Sequence, residues 1–105
     1  MWADTRRVDR RAAPFLLVAY PWIERRDYER ARRLMIDGDL WPASYEVWQR
    51  EAERAIRALA EEGVEPVRAT LDIDAFANWC HSNDCVADCV ARLTFAELIA
   101  EDELL

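Results

Sequence analysis

The stretch from Ser44 to Gly63 constrains this chain most, because its start, its face and its stop all specify one helix. The Ser44 hydroxyl can accept a bond from a free N–H of a first helical turn, and Pro42 suits a chain entering a helix. Tyr45, Trp48, Ala52, Ala55, Ile56 and Leu59 recur at spacings of three and four, the period of one helical face. That face is predicted to meet the core. On the other side, Glu46 and Arg50, Glu53 and Arg57, and Arg57 and Glu61 are four apart and predict solvent-facing ion pairs. Gly63 is predicted to end the helix, since a residue without Cβ enters the left-handed conformation at no steric cost.

A length of 105 residues fits one domain, and 52% hydrophobic with 33% charged residues, Gly 2 and Pro 4, is the composition of a compact, helix-rich chain. The net charge of −7 opposes binding to nucleic acid or an anionic membrane through the whole surface. The charge is uneven: residues 1–33 carry +4 and residues 34–105 carry −11. All fourteen basic residues are Arg, which removes lysine Schiff-base chemistry and a P-loop phosphate contact. Three cysteines are an odd number and do not make a secreted disulfide framework, so a reducing cytoplasm is expected. Arg6, Arg7, Arg10 and Arg11 precede an apolar run from Ala12 to Ile23, the order of an export signal. Asp4, Asp9, Pro14 and Pro21 break that pattern, and the run is too short for a membrane span.

Along the chain, residues 1–13 are expected to be a mobile arm and residues 14–105 a single α/β domain. Phe15 to Tyr20, an apolar run between Pro14 and Pro21, reads as a buried strand. Asp27 is positioned to cap a short helix from Tyr28 to about Ile36, with Tyr28, Ala31 and Met35 inward and Gly38 as its breaker. After the main helix, Val64 to Leu71 reads as a second strand, and Asp72 or Asp74 as the cap of a helix with Ile73, Phe76, Trp79 and Cys80 inward. The last helix is expected to start at Asn83 or Asp84, with Val86, Cys89, Val90, Leu93, Leu98 and Ile99 as its inner face and a fraying acidic end at Glu101–Glu103. The order is β-α-α-β-α-α around a minimal, parallel two-stranded sheet. Two strands leave two open edges, to be covered by a helix, by the arm, or by a symmetric homodimer.

Tyr20-Pro21-Trp22, Asp27-Tyr28, Leu34-Met35, Pro42 with Tyr45 and Trp48, and Phe76 with Trp79-Cys80 resemble the pattern of a group of small uncharacterised bacterial proteins. The likeness spans roughly residues 20–96. It implies a shared fold and no activity, cofactor or catalytic residue. Cys85 and Cys89 lie outside the pattern.

Four features could carry chemistry. Cys80, His81, Cys85 and Cys89 are ligand types that zinc prefers, but Cys80 and His81 are adjacent and diverge on a helix, so packed thiols are the simpler reading. Arg25, Arg26, Arg30, Arg32 and Arg33 around Tyr28 could meet phosphates, yet Glu24, Asp27 and Glu29 are interleaved and suggest a self-neutralised face. The rings of Tyr20, Trp22, Tyr28, Trp41, Tyr45 and Trp48 are either core or a partner surface. The acidic remainder of the chain could imitate nucleic acid and block a basic cleft, or serve solubility. The sequence therefore predicts a non-enzymatic cytoplasmic binding or accessory module without cofactor, acting on an unidentified protein partner or a second copy of itself. The alternatives are a zinc-binding Cys/His protein and an acidic inhibitor.

Overall fold

The computed structural model describes residues 17–104, so the expected arm and the start of the expected first strand lie outside the described residues. The elements are β1 (Leu17–Trp22), α1 (Tyr28–Leu34), α2 (Tyr45–Glu61), β2 (Glu65–Thr70), α3 (Ile73–Ser82) and α4 (Cys89–Leu104). Short 3-10 turns precede α1 at Arg25–Asp27 and follow it at Gly38–Leu40. The predicted order is thus the observed one, and β1 and β2 pair in parallel with Leu17 opposite Glu65 and Trp22 opposite Thr70.

β1 continues through Pro21 to Trp22, where the sequence predicted an end at Tyr20. The ladder explains how. The Leu71 N–H donates to the Trp22 carbonyl at 2.9 Å, and along a strand alternate residues turn their backbone groups to the same side. Trp22, Tyr20 and Val18 therefore face β2, and Pro21 faces the outer edge, where a missing N–H costs no ladder bond. By the same alternation Ala69 and Val67 of β2 face β1, and Pro66 faces the opposite outer edge. Among the described residues, each strand of the sheet thus carries a proline on the side away from its partner, which opposes strand addition from another chain.

The two faces of the sheet are covered differently. Trp22 meets Trp48 of α2 with ring centroids 5.1 Å apart, and the Arg68 guanidinium lies over the Trp22 ring at 4.1 Å. On the other face, Ala19 and Ala69 of the strands pack with Ala96 and Ala100 of α4, all four buried. Side chains this short let the helix approach the sheet closely. A second cluster, built on Ile23, Tyr28, Ala31, Met35, Leu71, Ile73, Phe76, Cys80 and Ala91, joins α1, α3 and the start of α4.

Local chemistry sets the helix limits. Ser44 accepts from the Val47 N–H and caps α2, and Gly63 stands at φ +87° beyond its end, as expected. Asp72, and not Asp74, caps α3 by accepting from the Ala75 N–H at 3.1 Å. Asp27 makes no side-chain cap; the chain enters α1 directly from the preceding 3-10 turn. α1 also stops earlier than expected, because Met35 is extended and the Ile36 N–H leaves the helix to bond the Ala87 carbonyl at 2.9 Å. Gly38 then folds tightly back: a Cβ there would fall 1.8 Å from the Arg32 carbonyl oxygen. The expected pairs along α2 give way to pairs between elements, Glu46 with Arg25 and Glu53 with Arg68.

The largest correction concerns α4. It begins at Cys89 and is capped by Asp88, which accepts from the Ala91 N–H at 2.9 Å; Asp84 lies in the left-handed region at φ +54° and ends α3 instead. The buried face of α4 is Ala91, Ala96 and Ala100, with Phe95 and Ile99 half-buried, whereas Val86, Val90, Leu93 and Leu98 are exposed. Of the residues expected inward on this helix, Ile99 packs on the core, whereas Cys89, Val90, Leu93 and Leu98 lie on the exposed side. The sheet requires small residues. Replacing Ala96→Leu should therefore overpack the helix–sheet contact and lower stability by about 1–3 kcal/mol, read from the urea midpoint against the parent chain. An unchanged midpoint would mean that α4 can stand off from the strands.

Candidate functional site

The carboxyl-terminal end of β1, the connection between α1 and α2, and the first turn of α4 meet around a pocket of about 190 Å³. Its lining is Tyr20, Pro21 and Ile23 from β1 and its continuation, Trp41, Trp48 of α2, and Cys89, Arg92 and Leu93 of α4. Pro21 brings its ring there because the strand does not stop at it. Trp41 follows the 3-10 turn whose start is fixed by the close Gly38–Arg32 approach. Trp48 sits one turn into α2, directly after the Ser44 cap.

Behind these walls the Tyr28 ring is a common support. It is 2% exposed, and its centroid lies 5.9 Å from Trp41, 5.3 Å from Tyr45 and 5.8 Å from Trp48. The polar ends of two tyrosines are satisfied by backbone: buried Tyr28 donates to the Pro42 carbonyl at 2.6 Å and half-buried Tyr45 to the Ile23 carbonyl at 2.8 Å. Both bonds pin connections that border the pocket. The Tyr20 phenol is pushed up in pKa by burial and then by the nearby Glu51 carboxylate, so it stays protonated near neutrality.

One wall is electrostatically closed. Arg92 donates to both Asp37 oxygens, at 2.8 and 3.0 Å, and its guanidinium lies 5.1 Å from the Trp41 ring centroid. Trp41 Nε1 donates to the same carboxylate at 3.3 Å. The Arg92 hydrogen bonds hold the Asp37 carboxyl below its ordinary value against the opposing effect of burial, with the Arg92 charge and the Trp41 bond adding to the fall. A guanidinium committed in this way offers little to a ligand anion, and the pocket acts as an apolar, aromatic recess. Leu93, at the rim, is 41% exposed, and outside the pocket α4 presents Val90 at 69%; Val86 is exposed just before the helix and Leu40 just before Trp41. The Ile36–Ala87 backbone bond puts exposed Ile36 beside the same segment.

The aromatic residues singled out in the sequence divide between two roles. Tyr20, Trp41 and Trp48 line the pocket, Tyr28 is buried behind its walls, Trp22 is buried between Trp48 and the Arg68 guanidinium, and Tyr45 is half-buried under the Arg25 guanidinium. The Cys/His set does not converge: Cys80 is buried, Cys85 half-buried, and Cys89 and His81 exposed, and no three metal-ligating side chains gather among the described residues. In the basic segment Arg25, Arg26, Arg30 and Arg32 pair with Glu46, Glu24, Asp74 and Glu29, and Tyr28 is too deeply buried to stack on a base. Sequence reading missed Arg92, Asp37 and Leu93. Only the outward turn of α4's large apolar residues could have pointed to Leu93. Compared with known protein families, curated proteins and solved structures, the chain matches none.

The Arg92–Asp37 pair gives a pH-dependent stability. Because folding lowers the Asp37 pKa, the pair contributes fully above the ordinary carboxylate value of 3.8 and is lost as pH falls through the depressed folded value. Asp37→Asn should cost about 1–3 kcal/mol at pH 7, as expected when a charged hydrogen-bond partner is removed, with the deficit shrinking below pH about 4. Urea titrations at neutral and acid pH check this; an equal deficit at both would assign the loss to packing.

Proposed function

We propose that the chain is a non-enzymatic binding module that accepts an apolar segment of a partner protein in the pocket between β1, Trp41 and α4. The observation that carries this reading is the outward apolar row Val86, Val90 and Leu93 continuing into a recess walled by Tyr20, Trp41 and Trp48. Large apolar residues grouped beside an aromatic recess mark interaction sites more often than solvated surface does. The internal neutralisation of Arg92 by Asp37 supports the same reading, since an apolar segment can bury this wall without stranding a charge.

Three unpaired thiols support a reducing, cytoplasmic setting for this module. None of the described helices is long and apolar enough to cross a membrane. Among the described residues, Pro21 and Pro66 stand on the outer edges of the sheet and oppose pairing with a second copy by strand addition, which leaves the exposed α4 surface as the better place for such a contact.

Affinity capture from native lysate should be run in parallel on the parent chain, Leu93→Asp and the distant exposed control Arg57→Ala. A partner that uses this site should be retained by the parent and the control at least about tenfold over Leu93→Asp. Leu93 is exposed enough for the variant to keep its fold, which circular dichroism would check. Equal retention by all three chains would overturn the assignment of the site.

A further inference from the structure

α3 ends in a turn with two defining bonds. The Cys85 N–H donates to the Cys80 carbonyl at 3.0 Å, and the Asp84 N–H donates to the His81 carbonyl at 3.2 Å. Asp84, between them, is left-handed at φ +54°. A six-to-one bond enclosing a five-to-two bond, closed by a left-handed residue, is the Schellman motif. That motif brings the side chain on the last turn of the helix against the side chain just beyond the left-handed residue, and the contact is usually between two apolar groups. Here both are cysteines. Cys85 packs on the core cluster that contains Cys80.

We propose that Cys80 and Cys85 form a reversible disulfide that locks the end of α3. The geometric demand of a disulfide is two close Cα atoms with converging Cβ vectors, and the two backbone bonds of the motif supply the closeness. Exposure sets the order of events. Cys85 is half-buried at the surface of the turn and Cys80 is 5% exposed beneath it, so a small-molecule disulfide reaches Cys85 first.

The Cys85 thiolate attacks one sulfur of that disulfide, which releases one small thiol and leaves Cys85 as a mixed disulfide. The Cys80 thiolate then attacks the Cys85 sulfur and displaces the second small thiol. The two thiol protons of the protein leave with the two released thiols, the small disulfide is reduced, and the cysteine pair is oxidised. Burial, and after it the neighbouring Cys85, pushes the Cys80 thiol up to about 11. Cys80 alone therefore reacts slowly with a small disulfide near neutrality, whereas its attack on the Cys85 mixed disulfide is intramolecular, and proximity offsets the small thiolate fraction. The closed turn leads directly into the segment that carries Val86 and is tied to Ile36 through Ala87, so oxidation would stiffen one margin of the exposed apolar row.

The test uses the full chain equilibrated in reduced and oxidised glutathione mixtures, trapped with an alkylating agent and weighed intact. Without the trap, the oxidised form should be about 2 Da lighter than the reduced form, the mass of two hydrogens. Cleavage at Asp84, between the two cysteines, should leave the flanking peptides joined until a reductant is added. The bridge should persist in Cys89→Ser and disappear in Cys85→Ala, while both variants keep the helical circular dichroism of the parent. Three results would each overturn the proposal: a stable mixed disulfide on Cys85 or Cys89 without an internal bridge, a bridge between Cys85 and Cys89, or no oxidation across the glutathione range.

Discussion

A sheet of two parallel strands has no interior strand, so nothing in it is protected until helices cover both faces. This constraint governs the rest of the molecule. The strands are joined by α1 and α2 and followed by α3 and α4, and the two coverings use opposite solutions. Toward α2 the space is filled by rings, with Trp22 on Trp48 and Tyr28 among Trp41, Tyr45 and Trp48. Toward α4 it is closed by methyl groups, Ala19 and Ala69 against Ala96 and Ala100. A helix that approaches through alanines has its larger side chains left over. This is why Val90 and Leu93 face away from the sheet and why a recess opens where the alanine contact gives way to Arg92 and Cys89.

Much of this fold was legible because it rests on local rules. α2 could be read from the Ser44 cap, the spacing of Tyr45, Trp48 and Ala52, and the stop at Gly63, each of which acts within a few residues. The inward residues of α1 and α3 followed from spacing in the same way, and Tyr28, Ala31, Met35, Ile73, Phe76 and Cys80 are buried. Reading failed where the answer depended on a partner distant in sequence. Pro21 ends a strand only if its missing N–H would face another strand, and that depends on which side β2 occupies. The buried side of α4 depends on the alanines of the strands, against which a larger residue would not fit.

The same division applies to the site. Tyr20, Trp41 and Trp48 stood out as unusual aromatics, but their chemistry did not separate them from Trp22 and Tyr28, which the fold buries. The Asp37–Arg92 pair joins residues 55 positions apart, and neither residue has neighbours that announce the other. An Arg in an acidic helix reads as solvated until a particular carboxylate is placed beneath it. Cys80 and Cys85 are intermediate: their spacing was visible, whereas their contact needed the left-handed backbone at Asp84.

The parallel register also sets an entropic cost for assembly. Leu17 pairs with Glu65, so the first ladder bonds cannot form until almost half of the chain has been brought round. Closing a loop of that size costs conformational entropy before any strand contact repays it. The intervening α2 reduces the search, since its cap forms locally and its length shortens the span that must close. The pairing of the strands thus depends on the helices that lie between them in the chain.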